Sequence, residues 1–360
     1  MAEDRVDHVS KRVLWKEAAP EGADQWFKNA LEMPVEEGYV TTDDGVDIEI
    51  LRWRGPDGSG GEDKQGLVLV HGNAAHAHWF AFIGPLLCDN YDVVAFSYSG
   101  CGLSGQRPQY SIDNFADEVV QVSRGVGFFD RQKKPVVVGH SLGSLVAMTA
   151  VFHNSQLFGG LLLCDNFIAM TLAENVAARS QVNPAEAAAM QKKLQRRDKW
   201  KEYPNTMPPV ERFAVTPAQK VNLAYVNEYV ANTTARQASD TAWHWCGDPD
   251  RTRKMQWGQK GTKAIPPNAE NILQLNAILP VGIIFGEWSN FYYKMKTPLS
   301  TKKSTVDHLR QHIPVIEIPN ARHHIMFDEP IAFIAAIRAV ADVWGLRAKA
   351  QAPCVVRSSL

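Results

Sequence analysis

Four short apolar runs set the frame of this chain: Leu67–Val70, Val93–Phe96, Val136–Val138 and Leu161–Cys164. Each is aliphatic or β-branched almost throughout and lacks the alternation of a half-exposed strand. That pattern predicts strands covered on both faces, as in a parallel sheet. Helical patterns lie between them. Ser111 is placed to cap a helix that brings Phe115, Val119, Val122 and Val126 to one face. Strand and helix in alternation predict an α/β fold, a mostly parallel central sheet flanked by helices. Ahead of these runs, Tyr39–Thr42 and Asp47–Trp53 flank an Asp-Asp-Gly turn at 43–45 and read as a hairpin. Ile48, Ile50 and Arg52 alternate against their neighbours there. The Gly-, Asp- and Ser-rich stretch Gly55–Gly66 reads as a loop.

The alternation stops after Asp165. Residues 168–275 predict a helical insertion with no convincing strand. Asn183-Pro184 and Thr216-Pro217 each offer the cap-then-proline order that opens a helix, the second with Val221, Tyr225, Val226, Tyr229 and Val230 on one face. Strands resume at Val281–Phe285 and Val315–Ile318, and a last amphipathic helix carries Phe333, Ile337, Val340 and Trp344. The expected division is an N-terminal arm (1–38, anchored by Trp15, Trp26 and Phe27), a core (39–167 and 276–346), a helical cap (168–275) and a flexible tail (347–360). The basic run 192–199 in the cap reads as a solvated helix face.

Composition narrows the function without naming it. Of the 360 residues, 45% are hydrophobic and 21% charged, which leaves room for a sizeable core. A formal net charge of −1 offers no broad grip on nucleic acid or an anionic membrane. Cys88, Cys101, Cys164, Cys246 and Cys354 are scattered singly, as reduced thiols would be. The charged N-terminus is no secretory signal, and no apolar run approaches a membrane span. A cytoplasmic location is the expectation. Ser358-Ser359-Leu360 offers a peroxisomal alternative, since it is similar to the S-K-L signal without the basic middle residue. The histidines and cysteines lack metal-ligand spacing, so neither metal nor cofactor is expected.

The candidate chemistry centres on Gly139-His140-Ser141-Leu142-Gly143. A strand runs into this G-x-S-x-G and an Ala-rich helical segment leaves it, the setting in which glycines permit a strained turn that exposes a nucleophilic serine. The helix also aims its first amides at any developing anion. An oxyanion hole would use the backbone N–H of Leu142 and, from the turn His71-Gly72-Asn73 after an earlier strand, that of Asn73. His71 would hold that turn, and His76 and His78 read as loop or rim residues. The general base is sought late in the chain, because sites built on such an elbow run nucleophile, acid, histidine. His324, six residues before Pro330, is the expected base, with His323 the adjacent alternative.

The H-G-N turn, the segment Ser99–Ser104, the G-H-S-L-G elbow and the late histidine ahead of Glu329-Pro330 together resemble the α/β-hydrolase superfamily over roughly residues 40–346. More narrowly the chain resembles the capped branch of esterases, carbon–carbon bond hydrolases, epoxide hydrolases and haloalkane dehalogenases. The last two carry aspartate at the elbow. Serine at 141 therefore implies a serine hydrolase acting on an ester, thioester or lactone through an acyl-enzyme, or on the carbon–carbon bond of a diketone. A non-catalytic ligand-binding member of the same fold is the rival reading, and its one support is the acid. Many relatives place an aspartate where this chain has Ser289, and serine carries no charge to stabilise an imidazolium. Asp165, at the end of the strand Leu161–Cys164, is the preferred substitute, and Glu287 the alternative. The substrate is expected to be small and apolar, under a cap in which Trp243, Trp245, Trp257, Tyr225 and Tyr229 line a pocket or simply pack.

Overall fold

The computed structural model describes residues 19–55, 58, 63–180, 201–257 and 261–351. Trp15, the Asn183-Pro184 helix start, the basic run 192–199 and the terminal Ser358-Ser359-Leu360 lie outside them.

The hairpin forms as β1 (Glu36–Thr41) and β2 (Asp47–Trp53), and β1 begins three residues earlier than its apolar pattern. The four apolar runs form β3 (Gln65–Val70), β4 (Tyr91–Phe96), β5 (Val136–His140) and β6 (Gly160–Cys164). The later pair forms β10 (Val281–Gly286) and β11 (Val315–Ile318), after three short strands of the insertion, β7 to β9. The eight core strands lie in the order β1-β2-β4-β3-β5-β6-β10-β11. Only the β1–β2 and β2–β4 pairs are antiparallel.

The continuous apolar runs have a direct consequence. Side chains alternate across a strand, so Leu67 and Leu69 enter one core with Val136 and Val138, while Val68 and Val70 enter the other with Val137. Two hydrophobic layers thus sandwich the sheet. One rests on α1 (Gln25–Glu32) and the last long helix, which starts at Pro330 and runs to Gln351, past the expected boundary at 346. The other rests on α2 (Ile112–Gly125), capped by the Ser111 hydroxyl accepting from the Asn114 amide, and α3 (Leu142–His153). Arg52 is buried for a separate reason. Its guanidinium forks onto Asp92, which Arg131 also holds at 2.6 Å.

The insertion departs from its all-helical expectation. It holds a small antiparallel sheet, β7 (Tyr203–Pro204), β8 (Ala235–Ser239) and β9 (Ala242–Trp245), in the order β7-β9-β8. Its sequence signal is the period-two Ala-Trp-His-Trp at 242–245 after a Ser-Asp-Thr turn, a pattern masked by its shortness. Thr216-Pro217 does not open a helix. The helix starts at Ala224 and runs to Thr234, because several groups in 219–222 bond to the loop after β11 instead. Phe27 of the arm is fully buried between Phe82 and the insertion's Tyr225 and Tyr229.

Candidate active site

The elbow is built by close packing that only glycine allows. A Cβ on Gly139 would lie 2.3 Å from the Gly143 carbonyl oxygen, and one on Gly143 would lie 2.3 Å from that of Val70. Ser141, held between them, has φ 55° and ψ −121°, a left-handed conformation costly for a residue with a side chain. The Ser141 N–H donates to the Cys164 carbonyl at 2.8 Å, and the Asn166 amide donates to the Ser141 carbonyl at 2.8 Å. The turn after β3 comes within touching distance, since a Cβ on Gly72 would sit 3.1 Å from Ser141 Cβ.

The residue facing Ser141 is His323, not the expected His324. His323 Nε2 lies 2.9 Å from Ser141 Oγ, and its Nδ1 lies 3.6 Å from Asp165 Oδ1. His324 has turned its ring toward Trp79 and Phe327, and its backbone N–H donates to Gln219 Oε1 at 2.8 Å. Two adjacent histidines point in different directions, and which one meets the serine is decided by the path of the loop after β11. Burial presses His323 down to about 3 and His324 also well down, so both imidazoles are neutral at ordinary pH.

Asp165 directly follows β6 with φ 52°, fully buried. The Gly286 amide donates to its Oδ2 at 3.0 Å, and the Ser289 hydroxyl donates to its Oδ1. The serine in the usual acid position thus supports a carboxylate delivered from the neighbouring strand. Burial raises Asp165 to about 7 against these hydrogen bonds. Glu287 points elsewhere, onto Lys294 at 2.9 Å and the Asn320 amide.

Asn73 follows Gly72, whose Cα faces Ser141, and Leu142 follows Ser141 at the start of α3; among the described residues neither backbone N–H finds an acceptor. His71 fixes the first of these turns. Its Nε2 accepts from the Tyr98 amide, so its Nδ1–H donates to the Gly72 carbonyl at 2.7 Å. A cavity of about 540 Å³ opens beside Ser141, lined by Leu142, Leu145, Phe167, Trp257, Phe291 and Leu299 among others, with no charged side chain in its described lining. Of the insertion's aromatic residues named above, only Trp257 reaches it. Trp243 is buried on Tyr203, Trp245 meets Phe213, and Tyr225 and Tyr229 pack on the arm. Spacing also hid a group of three buried histidines, His140, His323 and His324, whose ring nitrogens lie within 4.8 Å of one another. His140 Nε2 bonds the His323 carbonyl at 2.8 Å, which ties the elbow to the loop that carries His323.

The model of the alpha/beta hydrolase family matches residues 67–337. The chain belongs to that family. Among curated relatives it is similar to an uncharacterized hydrolase, YugF, of Bacillus subtilis (strain 168), with 30% identity over 128 residues. That match covers 35% of this chain and 43% of the relative, so less than half of the relative's length is spanned. Similar solved structures include an esterase of M. tuberculosis (TM-score 0.61, 21% identity, 89% of this chain and 99% of that one). They also include E-2-(acetamidomethylene)succinate hydrolase (TM-score 0.60, 18% identity, 86% and 100%) and the thioesterase domain of the curacin biosynthetic pathway (0.60, 16%, 84% and 99%). At these identities the likeness concerns the fold. Among the described residues no helix is long and apolar enough to cross a membrane.

Proposed function

We propose that this hydrolase is a serine enzyme that cleaves a carboxylic ester or related acyl bond through an acyl-enzyme. The observation that carries the reading is the contact of Ser141 Oγ with His323 Nε2 at 2.9 Å, with the Asp165 carboxylate behind Nδ1. His323 takes the Ser141 proton as Oγ attacks the carbonyl carbon. The N–H groups of Asn73 and Leu142 receive the oxyanion, a contribution worth roughly a hundredfold in rate for each donor. Asp165 stabilises the imidazolium, which then protonates the departing alcohol. Water, deprotonated by the same imidazole, attacks the acyl-enzyme; the acid leaves as the imidazolium returns the proton to Ser141 Oγ. The non-catalytic reading rested on a missing acid, and a carboxylate beside His323 removes its support.

The test is covalent labelling with a fluorophosphonate. Folded wild-type protein is expected to label once, at Ser141, and Ser141→Ala not at all. Labelling that survives this substitution would falsify the assignment.

A further inference from the structure

Arg251 has no part in the mechanism above. It opens the short helix Arg251–Lys254 of the insertion and is only 7% exposed. A guanidinium keeps its proton in any protein environment, so burial leaves a charge that calls for an anionic partner. None is present: among the described residues no carboxylate comes within ion-pair distance of Arg251, although the neighbouring Arg253 and Lys254 each have one. The nearby acids are engaged elsewhere. Glu49 accepts from the Ser97 hydroxyl and the Leu103 amide and lies 3.4 Å from His78. Asp248 accepts from the Tyr110 hydroxyl, the Lys254 ammonium and the Asp250 amide.

What Arg251 does touch is the candidate oxyanion hole. Its Nη2 donates to Asn73 Oδ1 at 2.9 Å, its one side-chain hydrogen bond among the described residues. Asn73 is exposed and follows Gly72, whose Cα faces Ser141. The insertion therefore brings a cation against an exposed side chain of the turn that faces Ser141. The apolar cavity on Ser141 has no charge in its described lining and suits the neutral limb of an ester.

We propose that Arg251 binds a carboxylate of the substrate, carried a few atoms from the scissile carbonyl on the limb that the apolar cavity does not take. This rests on the serine-hydrolase reading. A guanidinium accepts a carboxylate through two parallel hydrogen bonds, which would both hold and orient the ester.

Matched esters test it. The 4-nitrophenyl monoesters of succinic, glutaric and adipic acid carry the charge on the acyl limb, and 4-nitrophenyl butanoate, pentanoate and hexanoate are their uncharged counterparts. The butanoyl ester of 4-hydroxybenzoate carries it on the alcohol limb, against phenyl butanoate. In at least one pair the carboxylated ester is expected to show a kcat/KM at least tenfold higher, and Arg251→Met should abolish that ratio. Arg251→Gln keeps a donor for Asn73 without the charge and should abolish it too, so the test survives if Arg251→Met does not fold. Binding read without turnover, by calorimetry of the preferred carboxylated ester on Ser141→Ala, should weaken at least tenfold when Arg251→Gln is added. The proposal is overturned if no pair shows a preference, or if the ratio persists in both variants. A fall of both esters by one common factor also overturns it, since Arg251 would then only hold Asn73. Fluorophosphonate labelling keeps the two readings apart: a protein that labels at Ser141 but has no carboxylate preference loses only the role of Arg251.

Discussion

His323 and His324 are neighbours in sequence with opposite surroundings, and the difference is testable. His323→Asn removes the group 2.9 Å from Ser141 and is expected to lower kcat by about a thousandfold or more. His324→Phe leaves that contact in place and should keep most of the activity; a reversed pattern in esterase assays would sink the assignment. The sequence shows that a histidine stands here but not which one, because the choice depends on a loop rotation that leaves no periodic signal. The proposed acid is legible for a different reason. Asp165 sits at the end of an apolar strand, where a buried carboxylate has few uses beyond chemistry. Ser289 tunes it. The Ser289 hydrogen bond lowers the Asp165 pKa, so Ser289→Ala should raise it. In the proposed mechanism Asp165 works ionised, and the acid limb of the kcat/KM profile should therefore move to higher pH, by about one pH unit. An unmoved limb would separate Ser289 from the acid.

At the scale of elements, legibility followed burial. β3 to β6 are covered on both faces and write their position as unbroken apolar runs, whereas β7 to β9 are short and mostly half-exposed, with Arg236 and His244 among them. Cap-then-proline at Thr216-Pro217 was overridden because that segment bonds to the loop after β11 rather than to itself. One buried polar group in the core is structural. Asp92, fully buried at the edge of β4, is shared by Arg52 and Arg131. Asp92→Asn leaves two guanidiniums short of a counter-charge and should destabilise the fold by about 3 kcal/mol. Urea melts would show this as a lower midpoint; an unchanged midpoint would mean that water compensates both arginines.

For the whole molecule, core and insertion meet along a hydrogen-bonded seam. Gln219 accepts from the His324 amide and donates to Asp328 at 3.1 Å, and Asn222 donates its own amide to the same carboxylate at 3.0 Å. The loop gripped in this way is the one that carries His323. Gln219→Ala is expected to slow Ser141 labelling by about tenfold with the fold intact, as a small misplacement of the base would. Equal labelling rates would show that the loop holds itself. The seam also bears on how this protein can be cut and recombined. A boundary drawn at residue 168 separates two stretches of sequence, but the stretches share their polar accounts across it. A core freed of its insertion would leave the His324 amide without Gln219 and the Asp328 carboxylate with the Arg322 amide but without Gln219 and Asn222, and Asn73 would lose Arg251. Exchanging this insertion for another would therefore transplant part of the support of the proposed site along with the pocket, and a chimera built at that boundary must carry its own replacements for Gln219, Asn222 and Arg251.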